Sequence, residues 1–470
     1  LTAGDQPTRG ARPRAPRLVL AVVLALITLS GPVSLAAPSR TLIRNATLVL
    51  TMDPAVGAGE LGIRQHVDLL LDGDRIAQIG PALKAQGAQV IEGAGKIVLP
   101  GFVDTHDHLW QSLIRGCGTG HDLIGWQNAC EVPLTRFAFQ PDDVYHGVRL
   151  STLDLIGTGV TTVVDWSHAM TPRFAEESVR ALGESGLRFA FAYRGSADAA
   201  VIAQMRQLKR TLIDPNPRAL FQVAGHAGLG PTALSNLTAM SGLARELGVK
   251  IHVHLLENVA QTRDGPLEAL ARAGALGPSL IGAHAIHLAD EDIRLLARHD
   301  VRVTHNPLSN MRLASGIMRL PELRQAGVRV GLGIDGGTND TSDMFNNMRA
   351  AVGLQRVKYL SAATTPTVSE VLRMATVDGA RLLDLDGQIG SLTPGKKADL
   401  IVLDPGTINF APRMEWISQI VFNGQPGNVE WVFVDGRALK ARGRLVGVEP
   451  AAVVKAAEGV AARIREFLRR

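Results

Sequence analysis

Between residues 97 and 387 short apolar runs alternate with amphipathic stretches, and that alternation is the strongest signal in the chain. The runs are Ile97–Asp104, Thr161–Asp165, Arg188–Tyr193, Leu220–Gly225, Lys250–Leu255, Leu280–His284, Val301–His305 and Val328–Asp335. Each has the length of a strand buried on both faces, and the stretches between them, such as Ala233–Leu247 and Glu291–His299, carry apolar residues at helical spacing. Eight such units in about 290 residues predict an α/β fold of the (β/α)8 TIM-barrel type; pattern alone leaves a doubly wound sheet open. Outside this block the pattern changes. Residues 41–96 and 388–447 hold β-like runs, among them Val67–Leu71 and Arg75–Ile79 around the hairpin signal Asp72-Gly73-Asp74, and Ala398–Leu403 and Val429–Val434 near the other end. Two β-rich ends predict one small β-sandwich domain built from both. Residues 448–470 read as an amphipathic capping helix with a basic end.

The first 37 residues form a separate unit. Arg12, Arg14 and Arg17 precede the apolar run Leu18–Leu29, Gly31-Pro32 breaks it, and Ser34-Leu35-Ala36 supplies small residues for cleavage. This is the layout of a cleavable signal peptide, with an uncleaved membrane anchor as the competing reading, and it predicts a secreted or periplasmic protein. The same segment supplies three of the five net positive charges, so the remainder is nearly neutral and carries no nucleic-acid footprint. The hydrophobic content of 46% over 470 residues is ample for a large core. Cys117 and Cys130 are the only cysteines, too few for a thiolate zinc site; a disulfide and two buried thiols both remain open. They lie in the long connection 105–160, which also carries Trp126 and the Gly-rich stretch Arg115–Gly120 and is placed to cover the barrel mouth.

Chemistry-bearing residues gather at strand ends. His106 and His108 follow the first run, and their spacing of two puts both imidazoles on one face of an extended strand, where they suit zinc or iron. His252 and His254 repeat that spacing in the fifth run, with Glu257 just beyond as a candidate proton carrier beside a metal-bound water. His284, His305 and Asp335 end the sixth, seventh and eighth runs. In a barrel those ends converge on one mouth, so a metal-dependent active site is the joint expectation.

Five segments carry a family resemblance, the last being the tail Gly390-Ser391-Leu392 through Gly395-Lys396-Lys397-Ala398-Asp399-Leu400. Pro100-Gly101-Phe102-Val103-Asp104-Thr105-His106-Asp107-His108 resembles the entry motif of the amidohydrolase superfamily, and His252-Val253-His254-Leu255-Leu256-Glu257 resembles its fifth-strand motif. The segment from His305-Asn306-Pro307 to Ala314-Ser315-Gly316 is similar to the cytosine-deaminase-like branch, which includes triazine hydrolases and adenosine-derivative deaminases, and Gly333-Ile334-Asp335-Gly336 resembles the last-strand motif. The resemblance implies one divalent metal ion, zinc ahead of iron, held by His106, His108, His254 and Asp335. It implies a proton shuttle at Glu257, a water-orienting His284, a catalytic role for Asp335 as well, and a substrate-contacting His226. The fourth run offers no lysine or carboxylate to bridge a second ion, so the site should be mononuclear. His252 should support a ligand, and His287 and His299 should be surface residues. Departures such as Trp110 and the Asp165-Trp166-Ser167-His168 segment cluster near the expected pocket; Trp110, Trp166, His168 and His305 join His226 as candidate substrate-binding residues.

The function expected is hydrolytic deamination of a small amino-substituted N-heterocycle of purine, pyrimidine, pterin or triazine type. A hydrolase of a cyclic amide, carbamate or other leaving group is the alternative, and a non-catalytic binding protein on this fold the remote one. The partner implied is a small-molecule substrate; the membrane enters only through an uncleaved leader, and homo-oligomerisation is left open.

Overall fold

Gly101 separates two sheets. In the computed structural model, which describes residues 40–336 and 341–470, Ile97–Pro100 pairs with strands of the small sheet and Phe102–Asp107 opens the barrel. The apolar run expected to be one barrel strand from residue 97 is therefore two, and the small sheet extends to Pro100. The cause is local: Gly101 passes so close to Thr161 that any side chain would collide with it, and its N–H donates to the Asp399 carbonyl at 3.1 Å. The proposed leader lies outside the described residues.

The barrel strands are Phe102–Asp107, Val160–Ser167, Arg188–Arg194, Ala219–His226, Lys250–Leu255, Leu280–His284, Arg302–His305 and Val330–Leu332, hydrogen-bonded in that order and all parallel. The short eighth strand lies beside the first, and the Asp335 N–H donates to the His106 carbonyl at 2.8 Å, so the TIM-type barrel is nearly closed. Period-two alternation sorts the side chains. Val103, Val164, Ala190, Ala192, Ala224 and Ile281 share one apolar cluster with Leu382 and Leu385, which follow the last strand. Val163, Phe189, Phe191, Val223, Val253 and Val303 belong to the larger cluster formed with the surrounding helices.

The two chain ends make a mixed sheet of nine strands, from Arg40–Leu50 to Arg444–Leu445. Its alternating residues also divide. Val49, Val98, Leu400, Val402 and Phe433 bury one another in a private core, which requires the sheet to fold over on itself. Leu50, Leu99, Ile401, Leu403 and Val432 face the barrel's apolar cluster instead. Each such side chain contributes about 1.5–3 kcal/mol on burial, which docks the sheet against the barrel as one unit. Arg188 on the third barrel strand adds a buried link, pairing with Asp399 at 3.0 Å and Asp435 at 2.5 Å.

The connection after the first strand folds over the barrel mouth and is stapled by a disulfide between Cys117 and Cys130, which resolves the two readings of these cysteines. The C-terminal helix Pro450–Leu468 packs on helix Asp143–Thr158, joined by an Arg463–Asp143 ion pair. Among the described residues no helix is long and apolar enough to cross a bilayer.

Candidate metal centre and active site

The barrel seam builds the centre. Three carboxylates at the ends of the first and second strands accept backbone hydrogen bonds. Asp104 accepts from Ile334 at 3.0 Å and from His106 at 3.2 Å; Asp107 accepts from Gly336 at 2.8 Å and His108 at 2.6 Å; Asp165 accepts from Leu109 at 3.1 Å. The residues on either side of Asp335 are thus tied to those on either side of His106. Asp335 itself sits at φ 68°, a left-handed conformation that costs a non-glycine residue about 1–2 kcal/mol. These bonds hold it there, with Oδ1 3.0 Å from His106 Nε2 and 3.3 Å from His108 Nε2. His254 Nε2 lies 3.2 Å from His108 Nε2.

Proton bookkeeping tests whether this cluster fits a cation. His108 Nδ1 is 2.7 Å from the Trp166 carbonyl, which can only accept, so Nδ1 carries a proton and Nε2 is the atom left to meet a cation; burial would lower the imidazole, but the Asp335 carboxylate beside Nε2 outweighs it and raises it. His252 Nδ1 donates to Gln222 Oε1 at 3.2 Å, so its Nε2 accepts from His106 Nδ1–H at 3.1 Å, and His106 Nε2 also presents a lone pair. That atom is fully buried, 3.0 Å from Asp335 Oδ1. Burial, with neighbouring imidazoles, holds His252 and His254 well below the ordinary histidine range, so both are neutral. Lone pairs of imidazoles and a carboxylate converging in a buried space repel one another unless a cation lies among them; the donor set fits a divalent metal. The nitrogen and oxygen atoms of His106, His254, His284 and Asp335 also fall within 4.8 Å of one another.

His284 differs from the others. Its Nδ1 accepts from Asn310 Nδ2 at 2.8 Å and from Asn306 Nδ2 at 3.3 Å, which leaves the proton on Nε2. That nitrogen lies 3.6 Å from each of two carboxyl oxygens, Glu257 Oε2 and Asp335 Oδ2, and 3.5 Å from Asn306 Nδ2. The carboxylates are in opposite states. Burial, the Asp335 charge and Glu131 push the Glu257 carboxyl well above its usual range, so it keeps its proton. Burial would raise Asp335 as well, but His284, His106 and His108 outweigh it and hold Asp335 well below the carboxylate range, so it is ionised. A cavity of about 540 Å³ opens over these groups.

The expected site residues divide into those that reach this cavity and those that do not. His108, His254, Glu257, His284, Asp335, Trp166, His168 and His226 line it, with His106 directly beneath. Trp110 does not. It is buried behind His168, donating from Nε1 to His168 Nδ1 at 2.9 Å, because the turn after His108 carries it away from the mouth. Gln111 lines the cavity instead. His305 is also turned away: Thr304 meets Thr105 across the barrel seam at 2.5 Å, so alternation sends His305, with Val303, toward the helices, where burial lowers it to about 3. Standing at a strand end did not decide which face it occupies. His252 supports His106 and does not reach the cavity. His287 is half-buried, bonded to the Ser315 carbonyl at 2.8 Å, whereas His299 is exposed.

Sequence reasoning passed over Asp104, Asp107, Gln222, Asn306, Asn310 and Glu131. The first two lie inside the entry motif, and the two asparagines stand four apart in the segment after the seventh strand, so those signals were present. Glu131 lies in the stapled connection, where no period marks it.

Comparison with known proteins adds to this geometry. The model of the amidohydrolase family matches residues 97–439. A 5'-deoxyadenosine deaminase of Methanothermobacter thermautotrophicus is 32% identical over 438 residues, 89% of this chain and 99% of the relative. A 5-methylthioadenosine/S-adenosylhomocysteine deaminase of Thermococcus sibiricus is 34% identical, over 79% of this chain and 89% of the relative. Among solved structures, an adenosine deaminase of Xanthomonas campestris with bound zinc superimposes with a TM-score of 0.82 at 26% identity, covering 91% of this chain and 98% of that one. An atrazine chlorohydrolase of Arthrobacter aurescens gives 0.80 at 22% identity over 90% of this chain and 100% of its own, a likeness of fold.

Proposed function

The chain belongs to the amidohydrolase family, and from that premise we propose that it hydrolytically deaminates a small amino-substituted N-heterocycle, a purine nucleoside ahead of a pyrimidine, pterin or triazine. His106, His108, His254 and Asp335 would hold one divalent ion, zinc in preference to iron. The proton on His284 Nε2 makes that residue a donor rather than a ligand. A divalent ion there would supply Lewis acidity, which lowers the pKa of a contacting water from 15.7 to about 7.

The chain's own groups account for the remaining steps. Asp335, ionised, accepts a proton from the attacking water. His284 Nε2–H donates to the oxygen and fixes its line of approach. Glu257, protonated, delivers its proton to the ring nitrogen beside the attacked carbon, so that carbon accepts the new C–O bond. As the tetrahedral carbon collapses, the proton held by Asp335 passes to the amino group, the C–N bond breaks and ammonia leaves, and the proton on the new hydroxyl goes to Glu257, which leaves a carbonyl and restores both carboxyls. The observation that carries this reading is the placement of two carboxyl groups, Glu257 and Asp335, at equal 3.6 Å distances from His284 Nε2, beside the clustered His106, His108 and His254 rings. The names of the relatives support a nucleoside-like purine as substrate.

Export is part of the proposal. The leader pattern at 1–37 and the disulfide in the connection after the first barrel strand both favour an oxidising compartment. The function is tested by ammonia release from zinc-loaded protein across adenosine, 5'-deoxyadenosine, cytidine, pterin and melamine. Turnover of at least one is expected, with Glu257→Gln inactive on it; silence on all, with ring-opening of cyclic amides instead, would defeat it.

A further inference from the structure

A second cavity, of about 780 Å³, opens at the barrel floor, at the strand ends remote from the mouth. Lys250 and Arg302, the first residues of the fifth and seventh strands, line it. Period-two spacing puts Lys250 on the strand face of His252 and His254, and Arg302 on that of Thr304, so both cations belong to the barrel interior. Their side chains are 12% and 5% exposed. One carboxylate serves both: Asp384, on the surface, lies 2.6 Å from Lys250 Nζ and 2.6 Å from Arg302 Nη1. Arg302 Nε is buried with no hydrogen-bond partner among the described residues. Burial lowers the Lys250 amine, the Arg302 charge adds to that, and Asp384 does not offset the two. Two more cations line the cavity. Lys209 is paired with Asp214 at 2.7 Å. Arg245 donates to the Ser241 hydroxyl and the Gly274 carbonyl, both at 2.7 Å, and among the described residues it has no carboxylate partner. The lining thus holds four cations against two carboxylates, a net charge of +2.

From this imbalance we infer that the barrel floor is a second ligand site, which binds a phosphoryl group through Lys250, Arg302 and Arg245. Two buried like charges that share one carboxylate are under-compensated, and a further anion beside them offsets the desolvation both have undergone. A salt-bridge network that served stability alone would be neutral. Two positive charges match a phosphate monoester, which carries about −1.5 to −2 at neutral pH, whereas a monocarboxylate leaves one charge unmatched. An arginine fork and a lysine also suit its three free oxygens. Half-buried Leu220, Leu247 and Val249 add an apolar wall, and the volume falls within the range of about 300–1,000 Å³ of small-molecule sites. Both features favour an ester with an apolar organic part over the free ion. Lys250 and His254 stand four residues apart on one strand, about 13 Å. The floor site is therefore separate from the metal centre and does not depend on the deaminase reading.

The test is calorimetric titration of the full-length zinc-loaded protein with phenyl phosphate, inorganic phosphate and benzoate. Phenyl phosphate should bind tightest and benzoate weakest. Phenyl phosphate about tenfold tighter than inorganic phosphate identifies an ester as the ligand; equal affinities identify free phosphate. Benzoate binding as tightly as phenyl phosphate would overturn the assignment of a phosphoryl group. Lys250→Gln should raise the Kd for phenyl phosphate about 10- to 100-fold, the usual loss of a charge-assisted hydrogen bond, and Arg245→Gln should raise it by less. Asp384→Asn removes the competing carboxylate and should lower that Kd about tenfold, a gain that damage to the fold would not produce. Asparagine also tolerates the left-handed conformation of Asp384, φ 58°. If Lys250→Gln does not fold, as thermal unfolding would show, Asp384→Asn and Arg245→Gln decide alone. Phosphate held by the ion at the mouth would be indifferent to all three substitutions. That result, or no binding at all, would overturn the inference.

Discussion

Replacing His252 by alanine removes a side chain that touches neither cavity nor proposed ion, yet it should weaken metal binding. The ring is fully buried between Gln222 and His106, and its Nε2 is the acceptor that keeps the His106 proton on Nδ1. Without it, His106 Nδ1–H is a buried donor lacking a partner, at a cost of about 1–3 kcal/mol. Moving the proton to Nε2 relieves that cost but blocks the face that meets the cation. Either way the penalty falls on metal binding, since 1.4 kcal/mol is about tenfold and lost partners of ligands typically cost about 10- to 100-fold in affinity. The assay is competition for zinc against a chromophoric chelator at fixed pH, alongside thermal unfolding of both metal-free proteins to establish that the variant folds. His252→Gln, which can offer an oxygen in place of Nε2, should recover part of the loss. A folded His252→Ala protein holding zinc within twofold of wild type would refute the proton bookkeeping on which the site assignment rests.

Three further outcomes are expected. Glu257→Gln should retain its metal content and lose turnover by about 10²- to 10⁴-fold, the usual contribution of a general acid; loss of the metal instead would make Glu257 a ligand. His106→Ala should lose both metal and activity while His299→Ala, exposed at the end of its helix, changes neither, as read by metal content and ammonia release. Asp165 supplies a pH signature. Burial, with the Asp107 charge adding to it, raises its carboxyl from 3.8 to about 7, so the folded protein takes up a proton that the unfolded chain has released. That contribution is complete below the unfolded pKa and is lost as pH rises through the window up to about 7. Denaturant titrations of metal-free Asp165→Asn should therefore decline less steeply across this window than wild type, and parallel curves would contradict the shift.

What the sequence disclosed, and what it hid, follows from how each feature is encoded. His106 and His108 share a face through local spacing, and a parallel barrel brings every strand's C-terminal end to the same mouth whatever lies between, so the cluster was legible without coordinates. The division at Gly101 was not, because a run of buried strand residues reads continuously and only the collision with Thr161 imposes the break. Trp110 and His305 failed for a related reason: each stands near the mouth in sequence, but facing is set by the turn after His108 and by the seam contact between Thr105 and Thr304. Glu131 depends on a disulfide and on a ring from another strand, both non-local. Asp104 and Asp107 were visible as residues but not as the clasp between the first strand and Asp335, since their partners lie more than two hundred residues away.

The most direct measurement is anomalous diffraction at the zinc edge from crystals of the zinc-loaded protein. The account predicts one anomalous peak per chain, in the space bounded by His106 Nε2, His108 Nε2, His254 and Asp335, with His284 outside bonding distance. A second peak beside the first, or a single peak bound through His284 while Asp335 stands apart, would contradict it.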